Sequence, residues 1–303
     1  MSTAAFIGGD WGTSRLRLFL CDAAGAVLAR QDGPGVADAG ARAAELFADL
    51  TRAWDASLPA ILSGMVGSTI GWREAAYLPC PVAAEAIARG ALRFESGGRA
   101  IAIVPGLSCR NEAGLFDVMR GEETQVLGAL RLHPELARGK RLFCLPGTHA
   151  KWVLVDDGRV LRFHTALSGE LFALLSAHSV LARGAGAVDG GHDAFAEGLR
   201  VAQQADKAGL LHLLFSTRSR QLAGEIAREE AASYLSGLVI GADVAASLRL
   251  FDAHDAVTLV CAPDLAGLYA QALSRHGVAS QRVSGDDAAL AGLVFVHQAL
   301  SGA

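Results

Sequence analysis

Leu16, Leu18 and Leu20 alternate with Arg15, Arg17 and Phe19, a period of two that predicts a β-strand with one apolar face. Phe6 and Ile7 lead a preceding apolar stretch that ends at Asp10, and Gly12-Thr13-Ser14 separates the two stretches. Phe6–Leu20 therefore reads as strand, tight turn, strand. The pattern returns far downstream: Leu142 to Leu145 meets Gly147-Thr148, and Lys151 to Val155 follows as a second strand. Each copy continues into a turn and a third strand, Asp22-Ala23-Ala24-Gly25 before Ala26-Val27-Leu28 and Asp156-Asp157-Gly158 before Arg159-Val160-Leu161. Recurrence at nearly half the chain length predicts two lobes of like topology.

Between and after these hairpins the period changes. Asp38 to Ala56 has helical spacing, with Ala43, Leu46, Phe47, Leu50 and Trp54 on one face. A short strand, Ala60 to Leu62, empties into Ser63-Gly64-Met65-Val66-Gly67-Ser68-Thr69-Ile70-Gly71-Trp72-Arg73, too rich in glycine for a regular element. Ala100 to Val104 is an apolar strand closed by Pro105-Gly106, with a polar loop expected next; a helix is expected from about Glu122 to Leu132. Ser168-Gly169-Glu170 opens a helix, and Gly184 to Gly191 is a glycine-rich loop whose spacing is not a dinucleotide fingerprint. Helices are expected over Asp193–Gln204, Lys207–Phe215, Arg220–Arg228 and Ser233–Phe251. The strand Ala256–Cys261 ends at Ala262-Pro263-Asp264, where Asp264 is read as the cap of a helix. A last strand, Ser280–Val283, precedes a helix over about 286–300. Strands alternating with helices give an α/β class.

Composition narrows the function classes. The chain has 303 residues, is 51% hydrophobic and 19% charged, and carries a net charge of −4, which suits two domains with filled cores. We expect an N-terminal lobe over 1–138 and a C-terminal lobe over 139–303, with the last helix packing back on the first lobe. No Lys/Arg run points to nucleic acid or a membrane surface. No leader and no uninterrupted apolar run of membrane-spanning length is seen, Tyr234–Leu250 coming nearest. Five cysteines without a C-x-x-C pair fit reduced thiols and a cytoplasmic enzyme. Oligomeric state is not readable from the pattern, and a homodimer stays open.

The candidate chemistry gathers at the turns. Small residues at Gly12, Thr13 and Ser14, and again at Gly147 and Thr148, let backbone N–H groups approach an anion. Asp10 at a strand end suits a hydrated Mg²⁺, which takes few protein ligands. The loop holding Gly64, Met65, Ser68, Trp72 and Arg73 follows a strand, where α/β proteins bind ligands. Glu122 and Glu123 follow Arg120 and Gly121; acids in a first helical turn also simply complement the helix dipole. No P-loop, H-E-x-x-H or G-x-S-x-G motif is present.

Asp10-Trp11-Gly12-Thr13-Ser14 with the second Gly-Thr turn resembles the actin-like ATPase and hexokinase superfamily. DWGTSRLR (Asp10–Arg17), GMVGSTIGW (Gly64–Trp72), PGL (Pro105–Leu107), VMRGEETQ (Val118–Gln125), LPGTHAKWV (Leu145–Val153), SGEL (Ser168–Leu171) and LSGLVIGAD (Leu235–Asp243) together are similar to the 2-dehydro-3-deoxygalactonokinase family. The resemblance implies two duplicated ribonuclease H-like lobes with a nucleotide cleft between them. It also implies transfer of a phosphoryl group from ATP, with Mg²⁺, to the C6 hydroxyl of a small-molecule sugar acid, 2-dehydro-3-deoxy-D-galactonate. On that basis Asp10 is assigned to Mg²⁺. Gly12, Thr13, Ser14, Gly147, Thr148 and Lys151 are assigned to the phosphates, and Ala262 and Asp264 to the adenosine side. Glu123 is the first choice of general base and Glu122 the second, because Gly121-Glu122-Glu123 resembles the Gly-x-Glu-Glu segment of exopolyphosphatases in the same superfamily. Arg120, Arg73 and Arg17, in that order, are candidates for the substrate carboxylate, which a guanidinium grips well. The rival readings are a kinase for the gluconate-derived epimer, a phosphohydrolase of the same fold and a catalytically silent sugar sensor.

Overall fold

The computed structural model describes residues 3–111, 114–251 and 256–302. In chain order the elements begin with β1 (Ala4–Trp11), β2 (Arg15–Asp22), β3 (Val27–Pro34), α1 (Val36–Ala39), α2 (Ala43–Leu50) and β4 (Ala60–Gly64). Next come β5 (Tyr77–Pro79), β6 (Val82–Ala83), α3 (Ala84–Arg89), β7 (Leu92–Ser96), β8 (Arg99–Ile103), β9 (Gly106–Arg110), β10 (Phe116–Met119) and α4 (Glu122–Leu132). The second half holds β11 (Lys140–Leu145), β12 (Ala150–Asp156), β13 (Arg159–Ala166), α5 (Ser168–His178), α6 (Asp193–Ala202), α7 (Ala205–Ala208) and α8 (Leu210–Leu222). It closes with α9 (Ala231–Leu250), β14 (Ala256–Cys261), α10 (Pro263–Ser274), β15 (Ala279–Ser284) and α11 (Gly285–Ser301).

The chain divides into two compact units, interleaved in sequence. Unit 1 takes 1–141, 153–163 and 283–303; unit 2 takes 142–152 and 164–282. One six-stranded sheet has the order β3-β2-β1-β4-β8-β7 and the other β15-β14-β11-β12-β13-β6. The first strands of the two sheets thus repeat one topology: a meander of three strands, with a later strand added beside the first. That is the duplication the two Gly-Thr hairpins announced. β1–β4, β4–β8 and β11–β14 are parallel, as the α/β class requires.

In unit 1, Leu16 and Leu18 are fully buried in a core with Ile7, Trp11, Phe47 and Leu62. Phe19 is also buried, against the one-faced strand that alternation predicts. The reason is α11, which covers the other face of the sheet: Phe6 stacks on His297 at 4.1 Å. α11 also lies against α4 at very close range, since a Cβ on Gly128 would fall 1.7 Å from the Ala288 carbonyl oxygen. Only glycine allows that approach.

Three expectations need correction. The helix over Asp38–Ala56 is two short pieces, interrupted at Gly40 with φ +51°. Lys207–Phe215 and Arg220–Arg228 are not two helices: α8 runs unbroken over Leu210–Leu222, started after Gly209 with φ +78°. The polar loop after Pro105-Gly106 contains β9 and β10, which with β5 form a three-stranded sheet.

Unit 2 is organised on α9. Its length and mean hydropathy of 1.4 would suit a membrane span, but 94% of the span is buried inside the protein, with α5, α6, α8 and α10 packed around it. An all-round apolar helix is what such a central position demands.

Candidate active site

In unit 1 three elements end at one place. Parallel pairing sets Asp10 beside Ser63 and Trp11 beside Gly64, at the C-terminal ends of β1 and β4. Gly64 has φ +91°, and a Cβ there would sit 2.7 Å from the Trp11 carbonyl oxygen. Gly121, at the start of α4, has φ +108°, and its Cβ would sit 3.3 Å from the Gly64 Cα. Two glycines in the left-handed region thus bring the strand end, the glycine loop and the acidic helix start together. Strand C-termini of this kind are where open α/β sheets bind ligands.

Asp10 accepts a hydrogen bond and an ion pair from Arg17, whose other terminal nitrogen pairs with Asp286. Burial lowers the affinity of the Arg17 guanidinium for its proton, but attraction to Asp10 and the bonds to Asp10 and Asp286 outweigh it and push the pKa up. Arg17, a candidate for the substrate carboxylate, is therefore held by two carboxylates of its own protein. Gly12 is also corrected in part: its N–H donates to the Arg15 carbonyl at 2.9 Å to close the turn. The Gly12 and Thr13 carbonyls accept from Val36 and Ala37, each at 3.0 Å, while Thr13 and Ser14 are exposed at the tip.

The two glutamates differ sharply. Glu123 is fully buried; its Oε2 accepts from the Gly121 N–H at 2.7 Å and its Oε1 from the Thr124 hydroxyl at 3.0 Å. Burial, and secondarily the neighbouring Glu122 charge, push its carboxyl up to about 8. Glu122 is half-buried and accepts from the Arg120 N–H at 3.1 Å. A base must reach the proton it removes, and geometry comes before acidity. By exposure Glu122 is the accessible carboxylate of the pair, and Glu123 holds the helix start from within.

The glycine loop is also more structural than its sequence suggests. Trp72, expected to serve a ligand in this loop, packs at 5.5 Å on Phe47 and 5.4 Å on Phe94, against the unit 1 core. The Ser68 hydroxyl donates to the Met65 carbonyl at 2.7 Å, so it braces the turn after Gly64. Arg73 lies over the Phe94 ring at 4.2 Å. Arg120 is 8% exposed, lies over the Tyr77 ring at 4.3 Å and donates Nη2 to the Ala75 carbonyl at 2.7 Å. Its Nε and Nη1 are buried and without a partner among the described residues.

In unit 2, Gly147 borders a cavity of about 190 Å³ whose other walls include Phe172, Ile240, Leu265, Leu268 and Tyr269. Its apolar walls beside a Gly-Thr turn suit an aromatic group carrying an anion. Ala262 is the N-cap of α10 without a side-chain bond, Pro263 opens the helix and Asp264 lies in its first turn. Asp264 is thus not the cap, and the α10 residues that line the cavity are Leu265, Leu268 and Tyr269. Lys151 is 5% exposed within β12. Thr148 accepts from the Glu170 N–H at 2.9 Å, and Glu170 pairs with His149 at 2.6 Å.

A profile of 2-keto-3-deoxy-galactonokinase matches residues 10–296. The chain belongs to that family. The 2-dehydro-3-deoxygalactonokinase of Escherichia coli (strain K12) is 36% identical over 302 residues, 99% of each chain. A crystal structure of a protein from Sinorhizobium meliloti, 37% identical, covers 97% of this chain and 99% of its own with a TM-score of 0.88. The activator of the 2-hydroxyisocaproyl-CoA dehydratase from Clostridium difficile, solved with bound ADPNP, is 10% identical and superposes over 98% of this chain with a TM-score of 0.53. The last likeness shows the fold alone, and the actin-like ATPase class expected from the two Gly-Thr hairpins is borne out.

Two residues in this arrangement escaped sequence reading. Asp286, 269 positions from Arg17, was visible only as an acid in a turn before a helix. Asp243 stood inside the LSGLVIGAD block with no role attached; it proves to be a fully bonded buried carboxylate.

Proposed function

We propose that the protein transfers the γ-phosphoryl group of ATP to the C6 hydroxyl of 2-dehydro-3-deoxy-D-galactonate, giving ADP and the 6-phospho sugar acid. The observation that carries this reading is the meeting of the β1 and β4 ends, which carry Asp10 and Gly64, with Gly121, the residue before Glu122, in a chain of this family. Phosphoryl transfer asks chiefly for positioning and charge neutralisation, and each group has a place.

Glu122 takes the hydroxyl proton, worth about 10²–10⁴-fold in rate. Arg120, a buried guanidinium with two nitrogens lacking a hydrogen-bond partner among the described residues, receives the sugar acid's carboxylate; a buried charge gains most from a partner. Arg73 is the second choice. Thr13 and Ser14 at one turn, Gly147 and Thr148 at the other, and Lys151 hold phosphate oxygens, and the apolar cavity beside Gly147 takes the adenine. Asp10 fits a Mg²⁺ role: it stands at a strand end, and a carboxylate keeps acceptor sites beyond those Arg17 occupies. It would hold the ion through water, the ion supplying charge neutralisation to the phosphates when bound. Work on small metabolites in the cytoplasm completes the reading.

The test is an ADP-release assay with Mg·ATP and, in turn, the galactonate compound, its gluconate epimer, neutral hexoses and no acceptor. Release with the galactonate compound alone is expected. Release with no acceptor, unchanged by any sugar acid, would replace the kinase with a hydrolase.

A further inference from the structure

Asp243 stands in the middle of α9, 8% exposed. An ionised carboxylate removed from water is costly unless its oxygens are hydrogen-bonded. Here four donors supply the bonds. Trp152 Nε1 at 2.9 Å and the Ser247 hydroxyl at 3.3 Å donate to Oδ1. The Ser168 hydroxyl at 2.7 Å and the Tyr269 hydroxyl at 2.9 Å donate to Oδ2. A carboxylate offers about four lone-pair sites, so the group is filled by its own protein and has no capacity left for a ligand. Burial raises its pKa while the four bonds pull it down.

The two oxygens differ in which of their donors reach the cavity beside Gly147, while Ser168, Ser247 and Asp243 itself also line a second cavity of about 370 Å³. Ser168 and Tyr269, the Oδ2 donors, line the cavity of about 190 Å³ beside Gly147. Trp152 and Ser247, the Oδ1 donors, do not. Ser168 is also the first residue of α5, and the backbone next to it touches the turn. A Cβ on Gly169 would lie 2.2 Å from the Gly147 carbonyl oxygen, and the Glu170 N–H donates to the Thr148 carbonyl at 2.9 Å. One hydrogen bond and one backbone contact therefore separate Asp243 from Gly147-Thr148. The same carboxylate ties β12, α5 and α10 to α9.

We propose that Asp243 is a positioning residue for the nucleotide: through Ser168 it sets the Gly147-Thr148 turn, through Tyr269 the cavity wall, and it touches neither ATP nor the sugar acid. The inference rests on the nucleotide reading of that cavity. It separates the two halves of the carboxylate, since a merely structural role would use both oxygens alike. Asp243→Asn keeps the shape but turns one acceptor into a donor. Trp152 can only donate, so the amide oxygen must stay on its side, and the amide nitrogen faces Ser168 and Tyr269.

The experiment measures ATP binding by calorimetry, KM for ATP and for the sugar acid, and Tm. It uses the wild type, Asp243→Asn, Tyr269→Phe and Ser247→Ala. Asp243→Asn and Tyr269→Phe should weaken ATP binding about tenfold and raise KM for ATP in step, with KM for the sugar acid unchanged. Ser247→Ala should lower Tm with ATP affinity unchanged. Tyr269→Phe keeps the ring in the cavity wall, so it carries the test should Asp243→Asn fail to fold. Loss of Tm with unaltered ATP affinity in both Oδ2-side variants would overturn the proposal, as would an equal rise in both KM values. A wild type that binds no ATP would overturn the nucleotide reading itself, and this inference with it.

Discussion

Replacing Glu123 by Gln should make the protein more stable at alkaline pH. The Glu123 carboxyl is sealed between the Gly121 N–H and the Thr124 hydroxyl, with its pKa raised from 4.5 to about 8. In the unfolded chain the proton leaves near the ordinary value; in the folded chain it stays until about 8. Between those values folding takes up a proton, so stability falls as pH rises through the window. Each pH unit is worth about 1.4 kcal/mol, so the whole window amounts to a loss on the order of 5 kcal/mol. That is a large fraction of a stability of roughly 5–15 kcal/mol. Gln mimics the protonated acid: its oxygen accepts from Gly121 and its nitrogen donates to the Thr124 oxygen, with no proton to lose. Urea unfolding of both proteins at several pH values between 5 and 9 measures the effect, and groups common to both cancel in the difference. The advantage of Glu123→Gln should climb by about 1.4 kcal/mol per unit and level off above the folded pKa. Its kcat should remain within an order of magnitude of wild type if Glu122, as proposed, is the base. A difference that is flat with pH would refute the burial argument; a loss of kcat in the general-base range would return the catalytic role to Glu123.

Glu122→Gln should lower kcat by about 10²–10⁴-fold while calorimetry finds ATP affinity unchanged; wild-type turnover would exclude Glu122. Trp72→Ala should cost about 3–5 kcal/mol of stability in urea titrations, because the ring fills the space between Phe47 and Phe94; a raised KM for the sugar acid with unchanged stability would restore it to the substrate site. Arg120→Ala should raise KM for the sugar acid far more than KM for ATP, and equal effects would assign Arg120 to holding the loop at Ala75.

Much of this protein is written locally. The period-two runs on either side of Gly12 and of Gly147 made the two hairpins legible, because strand alternation and a glycine turn depend on neighbours in sequence. The apolar length of α9 and the blocks around Asp10, Gly64, Glu122 and Gly147 were equally plain. The short strands β5, β9 and β10 were not, since segments of three to five residues carry too little periodicity to stand out from loop. The sequence by itself determined the α/β class, the duplicated hairpins, and which few residues could do chemistry. Tertiary packing alone decided their parts. Glu122 and Glu123 are adjacent and differ only by about 100° around a helix, so which one is buried depends on what packs against α4. Arg17 was unassignable without Asp286, a partner 269 residues away. Trp72 turned to the core because Phe47 and Phe94 wait there, and Asp243 acquired a role only when β12, α5 and α10 brought it donors. The physical reason is the same in each case: periodicity reports which face of an element is apolar, whereas a hydrogen-bond partner or a burial is set by elements far along the chain.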